Sequence, residues 1–194
     1  ETRLKEHPLP GKIGIGHTRW ATHGGPTENN AHPHATEKVA VVHNGIIENY
    51  AELKDELKAH QCRFETDTDT EVIAHLVTHY LTQGMDPHGA ANAALDRLEG
   101  AFALALIFAG EHDLMIGARQ GTPLAVGYGE GEMFLASDSY ALAPLTRKIC
   151  FLEDGDRVAL TRAGARIYTH DNDNVERPVR ITAQSGATTG KGEY

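Results

Sequence analysis

The pattern of apolar and polar positions predicts strands near the start of this chain, helices in its middle and further strands towards its end. Ile13–Arg19 and Val39–His43 have strand character, and the second run is almost wholly apolar, as expected of a buried strand. Apolar residues at helical spacing then predict helices over Tyr50–His60, Thr70–Leu81 and Ala90–Leu98. A Gly-, Pro-, Asn- and His-rich loop separates the first two strands.

A second series of short apolar runs follows the helices. It predicts strands at Ala101–Phe108, Leu114–Ala118, Leu124–Gly127, Met133–Ala136, Lys148–Leu152, Arg157–Thr161 and Arg166–Tyr168, with a short helix at Ser139–Ala143. The connections are too short for repeated helical crossovers, so most strand pairs should be antiparallel. We therefore expect a layered α+β fold rather than a doubly wound sheet.

Length and composition limit the class of protein. The chain has 194 residues and a net charge of −9, which suits one domain with or without a tail and argues against a nucleic-acid binder. The longest apolar run, Ala101–Ala109, is too short to span a bilayer, and no signal peptide is visible. Cys62 and Cys150 form neither a disulfide framework nor a zinc site, so we expect a cytoplasmic protein with free thiols.

The two ends of the chain carry their own patterns. The chain begins at Glu1 without Met, in a segment that resembles the end of a helix stopped by Pro8 and Pro10, so we expect residues upstream of it. Past Asp173 the sequence turns polar, and Ser185–Gly192 has the composition of a flexible linker.

Residues 17–45 concentrate the candidate chemistry, and the Asn44-Gly45 pair closes this segment. The pair has two interpretations. Asn-Gly after a buried strand is often a turn, because both residues tolerate positive φ. Alternatively, the Asn side-chain NH₂ and the Gly backbone N–H form an oxyanion hole, in which glycine allows close approach.

Arg19 and Trp20 stand at the end of the first predicted strand. In the structural interpretation, an Arg at a strand end forms an ion pair at the surface, and a lone Trp packs in the core. As functional residues, Arg19 would hold a carboxylate through a bidentate fork, and Thr22 and His23 would add hydrogen bonds to the same ligand.

Asp67 and Asp69 precede the second predicted helix. Short acidic residues commonly cap helices, and Thr68-x-x-Glu71 matches a capping box. The functional alternative is a carboxylate that receives a substrate ammonium group. An Arg for a carboxylate, an Asp for an ammonium and an oxyanion hole for a carbonyl together describe an amino-acid amide, for which glutamine is the obvious candidate.

Two further questions concern metals and the nucleophile. His32-x-His34, with three other histidines nearby, could bind a metal, but the spacing matches no standard ligand motif. Amide hydrolysis through a covalent intermediate needs an activated nucleophile. Cys62 lies in a predicted surface loop beside Arg63, which could lower its pKa slightly, and Cys150 lies in an apolar strand. Neither is a convincing nucleophile.

The run HTRWATHG…NAHPH…VVHNGIIENY…ETDTDTEVIAHL resembles the glutaminase (class II glutamine amidotransferase) domains of the glutamine–fructose-6-phosphate aminotransferase family, also called glucosamine-6-phosphate synthases. The similarity continues through GTPL, ASD and FLEDGD, so it covers essentially the whole chain. It implies the N-terminal-nucleophile hydrolase fold, a four-layer αββα sandwich of two antiparallel sheets.

The resemblance also implies a role for each candidate residue. Asn44 and Gly45 would form the oxyanion hole. Arg19 would bind the glutamine α-carboxylate, helped by Thr22 and His23. Asp69, which aligns with the family's motif where Asp67 does not, would bind the α-amino group, and Trp20 would gate the path of ammonia. No cofactor or metal is expected.

The resemblance divides the chain and implies its partners. Residues 1–183 would be a glutaminase domain that is incomplete at its N-terminus, and residues 184–194 a linker toward an isomerase domain. The full-length enzyme would hydrolyse L-glutamine and transfer the ammonia to fructose 6-phosphate, yielding glucosamine 6-phosphate, as a cytoplasmic homodimer. The alternative is a catalytically silent regulatory module that binds an amino acid.

We predict that a polypeptide beginning at Glu1 does not hydrolyse glutamine, because the family's nucleophile is an N-terminal Cys that this sequence lacks. Glutamate release is measured on a preparation whose first residue has been established by intact-mass spectrometry. Steady turnover by such a preparation would contradict the prediction. Calorimetric binding of glutamine without turnover would favour the silent module.

Overall fold

The computed structural model describes residues 6–7, 11–18 and 23–182. Arg19, Trp20 and Thr22 lie outside the described residues, as do the linker at 184–194 and most of the segment before Gly11. Among the described residues no helix is both long and apolar enough to cross a membrane.

Between Val39 and Tyr168 the helices and strands follow the predicted order. Four helices have all their residues in the described part: α1 Tyr50–Ala59, α2 Thr70–Thr82, α3 Pro87–Leu95 and α4 Ser139–Leu142. The strands are β1 His34–Ala35, β2 Val39–Ile47, β3 Gly100–Phe108, β4 Met115–Gln120, β5 Ala125–Tyr128, β6 Met133–Ala136, β7 Lys148–Phe151, β8 Arg157–Thr161, β9 Gly164–Tyr168, β10 Asn174–Val175 and β11 Val179–Ile181.

The strands form two antiparallel sheets. A seven-stranded sheet has the order β1-β2-β3-β4-β8-β9-β10, and a four-stranded sheet has the order β11-β7-β5-β6. Every ladder between these strands is antiparallel, as predicted from the short connections. The longest ladder joins β2 to β3, with Val39 opposite Phe108 and Ile47 opposite Gly100.

Side-chain alternation assigns the buried residues to three separate layers of packing. On β3, Leu104 and Leu106 face the cluster formed with helices α1–α3, while Ala103 faces the cluster between the sheets. On β7, Cys150 faces the space between the sheets and Ile149 packs towards α4. The order is therefore helices, sheet, sheet, helix, which confirms the predicted αββα sandwich.

The third helix begins earlier than its apolar pattern predicted. Pro87 occupies its first turn, and Asp86 caps it by accepting a 2.6 Å hydrogen bond from the backbone N–H of Gly89. The apolar spacing marked the buried face of the helix but not its polar start.

The first predicted strand is not formed in the described residues. Residues 13–18 alternate between half-buried and exposed positions, as an extended chain does, but they pair with none of the strands that the structure describes. An apolar alternation predicts extended backbone, whereas a strand also needs a neighbour for its hydrogen bonds.

The predicted capping box at the start of α2 is wrong. The Glu71 carboxylate accepts hydrogen bonds from the backbone N–H groups of Glu65 and Thr66, each at 2.8 Å, and from the Thr66 hydroxyl at 2.7 Å. Burial alone would raise the pKa of Glu71, but these hydrogen bonds and nearby His75 together lower it. The ionised Glu71 carboxylate therefore holds the preceding loop in place through hydrogen bonds to Glu65 and Thr66.

Candidate functional site

Asn44 and Gly45 lie inside β2 and not in a turn. They pair with Ala103 and Phe102 of β3. Gly45 has φ +132°, and a Cβ at this position would overlap the carbonyl oxygen of Ala101 and lie 2.9 Å from the Phe102 Cα. The turn interpretation is therefore wrong, and only glycine fits this backbone at this distance from β3.

Asn44 opens onto a cavity of about 710 Å³. Residues of β3, among them Ala103, line one side, and Leu135 and Ala136 of β6 line the other, so the cavity lies between the two sheets. His17 also reaches it. The space exists because the side chains on the inner face of β3, Ala103 and Ala105, are small.

Asp69 stands at the N-cap position of α2 but does not cap the helix through its side chain. Only 3% of the residue is exposed, and its Oδ2 accepts a 2.8 Å hydrogen bond from the backbone N–H of Ile47 on β2. His23 Nδ1 lies 3.9 Å from the same oxygen. Asp67 is exposed, so of the two aspartates only Asp69 is directed into the protein.

His43 precedes Asn44 and points to the helix layer. Its Nδ1 lies 2.9 Å from the Thr70 hydroxyl. Burial lowers the pKa of His43 to about 4, the Asp69 charge opposes this shift, and three neighbouring histidines add to it. Its Nε2 is buried and has no hydrogen-bond partner among the described residues, which costs about 1–3 kcal/mol. The ring is therefore neutral at pH 7.

Two other histidines of this segment, His32 and His34, lie within hydrogen-bond distance of threonine hydroxyls. His32 Nε2 lies 3.1 Å from Thr70 Oγ1, and His34 Nε2 lies 3.1 Å from Thr68 Oγ1. Within the described ranges no group of three or more His, Cys, Asp or Glu side chains is arranged to hold a metal ion. The metal interpretation has no support in this part of the chain.

Asn30 ties the loop that carries His23 to the segment that carries Asp69. The side chain of Asn30, which is 2% exposed, donates to the Gly25 carbonyl at 3.1 Å and accepts from the Asp67 N–H at 3.1 Å. Sequence reasoning missed Asn30 and Thr70, and it considered His43 only as a metal ligand. The signal that was available is the density of hydroxyl and amide side chains near the histidines.

Neither cysteine is set up as a nucleophile. Burial raises the pKa of both thiols, and Cys150 packs in the core between the sheets. Cys62 lies in the loop between α1 and α2, as predicted, and is half-buried against the helix-side core. The predicted lowering of its pKa by Arg63 was wrong, because burial raises that pKa.

A second cavity, of about 270 Å³, lies against α3 and the β7–β8 loop. Its arginines already have partners: Arg157 donates to Asp96 at 2.5 Å, and the Arg119 guanidinium binds the Leu152 carbonyl. Because these charges are paired, the cavity at Asn44 is the better candidate for the functional site.

Comparison with known proteins identifies the family. Residues 17–144 match the family model described as a glutamine amidotransferase domain. The chain belongs to this family. Its curated relatives include proteins named glutamine–fructose-6-phosphate aminotransferase [isomerizing]. The one from Brucella abortus biovar 1 is 59% identical over all of this chain and 32% of its own length. The one from Gluconobacter oxydans is 60% identical over 98% of this chain and 31% of its own length. The amidotransferase chain thus spans about a third of these relatives.

Solved structures give the same fold. The glutamine phosphoribosylpyrophosphate amidotransferase from B. subtilis matches with a TM-score of 0.67 and 25% identity, over 79% of this chain and 34% of its own. A glutamine aminotransferase class-II domain protein from Silicibacter pomeroyi matches with a TM-score of 0.54 and 18% identity, over 77% of this chain and 74% of its own. The N-terminal-nucleophile hydrolase fold predicted for this amidotransferase domain is thereby confirmed.

The low pKa of His43 predicts a loss of stability in acid. An imidazole with a pKa of about 4 in the folded state and 6.5 in the unfolded state binds fewer protons when folded, so its contribution is complete above pH 6.5 and is lost as the pH falls to 4. The loss amounts to about 3 kcal/mol.

Urea unfolding of the 194-residue chain at several pH values between 4 and 7 measures this loss. The variant His43→Asn should show a shallower dependence on pH than the parent chain. His112→Asn, which removes an exposed histidine, should keep the parent dependence. Identical pH dependence in the parent and His43→Asn would contradict the buried neutral imidazole.

Proposed function

We propose that this chain is the glutamine-hydrolysing part of a glutamine–fructose-6-phosphate aminotransferase. The full-length protein would convert L-glutamine to glutamate and pass ammonia to fructose 6-phosphate in an isomerase domain of the same polypeptide, forming glucosamine 6-phosphate. The observation that carries the proposal is the Asn44-Gly45 pair: Asn44 lines the inter-sheet cavity, and the positive φ of Gly45 lets its backbone lie close to β3. The similarity to aminotransferases over all of this chain supports the substrates. A cytoplasmic homodimer is part of the same proposal.

Asn44 and Gly45 would stabilise the oxyanion that forms when a nucleophile attacks the glutamine amide. Asn44 is an exposed residue, and Gly45 has no side chain to shield its N–H group. One donor directed at the developing charge stabilises the transition state by about 3–4 kcal/mol. Two donors from consecutive residues would act on the same oxygen.

Asp69 would bind the α-ammonium group of glutamine. A buried carboxylate is unfavourable unless it is hydrogen-bonded or paired with a cation, and Asp69 has one backbone N–H donor, from Ile47, at 2.8 Å. A substrate ammonium supplies the missing positive charge. Arg19 would bind the α-carboxylate with Thr22 and His23, and Trp20 would gate the ammonia path; for Arg19, Trp20 and Thr22 the support is the family resemblance.

The nucleophile we propose is the thiolate of an N-terminal Cys in the full-length protein, with its own α-amino group as the base. The raised pKa values of Cys62 and Cys150 support this, since burial favours the unreactive thiol form of both side chains. A thiolate at the cavity would attack the amide carbon, and the C–N bond would then break with release of ammonia after protonation of the nitrogen. Water would hydrolyse the resulting thioester to glutamate and restore the thiol.

Replacing Asn44 with Ala in the full-length protein should lower kcat for glutamine hydrolysis by about 100- to 1000-fold, because one oxyanion donor is lost. KM for glutamine should change little, since the interaction forms only in the transition state. Asn174→Ala, at an exposed position on β10, is the matched control and should leave both constants unchanged. A full kcat in Asn44→Ala would overturn the oxyanion assignment.

Replacing Arg19 with Ala should raise KM for glutamine by about 100-fold, through the loss of about 3 kcal/mol of charged hydrogen bonding to the substrate carboxylate. Sugar isomerisation that does not depend on ammonia should survive. Arg19→Lys keeps the positive charge but cannot form the paired hydrogen bonds of a guanidinium to a carboxylate, so it should restore only part of the affinity. An unchanged KM in Arg19→Ala would count against the carboxylate role.

A further inference from the structure

Two contacts join the start of α2 to β2 on either side of the Asn44-Gly45 pair. Before the pair, His43 Nδ1 lies 2.9 Å from the Thr70 hydroxyl. After it, the backbone N–H of Ile47 donates to Asp69 Oδ2 at 2.8 Å. Asp69 and Thr70 are consecutive residues, so one turn of helix holds both flanks of the strand segment.

This strand segment needs such support because of its glycine. Gly45 has φ +132°, outside the range that ordinary strand residues adopt. Glycine is also the residue with the greatest backbone freedom, so on its own it fixes the direction of its N–H group poorly. The contacts on both flanks restrict that freedom.

Thr70 is buried, at 1% exposure, and lies at the centre of a small network. Its hydroxyl is within hydrogen-bond distance of His43 Nδ1 and of His32 Nε2, at 2.9 and 3.1 Å. A hydroxyl has one proton, so it can donate to one ring and accept from the other. The proton positions of the two imidazoles are therefore linked through Thr70.

We propose that Thr70 and His43 are positioning residues that hold the Asn44 and Gly45 donors in place relative to Asp69. The inference rests on the proposed glutaminase function. Neither side chain needs to touch substrate: Thr70 acts on His43, and His43 acts on the strand that carries the donors. The site thus has a support built from the helix that also carries its carboxylate.

Steady-state glutamine hydrolysis by the full-length protein tests the inference. Thr70→Val removes the hydroxyl at constant shape, and kcat should fall by about 10- to 100-fold, because a misplacement of about 1 Å is enough to cause such a loss. KM for glutamine should stay close to that of the parent. Thr70→Ser restores a hydroxyl and should recover most of the rate.

Thr78→Val is the matched control on the same helix. Thr78 hydrogen-bonds Thr36 at 2.6 Å, away from Asn44, so its valine variant loses a comparable bond and should keep the parent kcat. If Thr70→Val shows the same kcat as Thr78→Val, or if its KM rises while its kcat is unchanged, the positioning role is overturned. Loss of rate in Thr70→Ser equal to that in Thr70→Val would also overturn it.

If Thr70→Val does not fold, the same comparison can be made at position 43. His43→Asn keeps a polar atom near the position of Nδ1 and should retain more kcat than His43→Leu, and equal values would contradict the inference.

The activities of the parent enzyme and of Asn44→Ala distinguish failure of the proposed function from failure of the positioning role. An inactive parent, or a fully active Asn44→Ala, refutes the proposed function, whereas an impaired Asn44→Ala beside a fully active Thr70→Val refutes only the positioning role.

Discussion

The site depends on the buried contact between the Asp69 carboxylate and the backbone N–H of Ile47. A carboxylate at 3% exposure is stable only with donors directed at it, and here the donor comes from the strand that carries Asn44 and Gly45. The contact fixes the start of α2 against β2. Under the proposed function the same carboxylate would also receive a substrate ammonium group, so that one interaction would serve both the fold and the binding of an amino acid.

The strand that carries Ile47 also borders an open space, which Asn44 lines. Large residues such as Leu104 and Leu106 on the helix side of β3 fill the outer core, while Ala103 and Ala105 on the inner side leave a cavity between the sheets. The size difference between the two faces of one strand therefore separates a packed layer from an open cavity. Gly45 lies close against β3, and Asn44 beside it lines that cavity.

Periodicity was sufficient for much of the fold but not for the site. The regular patterns of α1, α2, β6 and β8 predicted those elements almost residue for residue. Asn44-Gly45 has the local signature of a turn, yet pairing with β3 keeps it in a strand. The acidic run before α2 has the signature of caps, yet Asp69 bonds to Ile47, 22 residues away in sequence. Local propensity cannot encode such partners, because tertiary contacts decide them. The chemical roles proposed for the site rest on residue types, since an Arg, an Asp and an Asn-Gly pair suit the carboxylate, ammonium and carbonyl groups of glutamine.

A crystal structure of the full-length protein with glutamate bound is the most direct test of the claim that Asp69 and Asn44-Gly45 form one site. If they do form one site, the ligand ammonium should lie within hydrogen-bond distance of Asp69. A γ-carboxylate oxygen should lie about 3 Å from the Gly45 N–H and the Asn44 side chain. A ligand bound elsewhere, with Asp69 contacting only Ile47 and no ligand atom near Gly45, would contradict it.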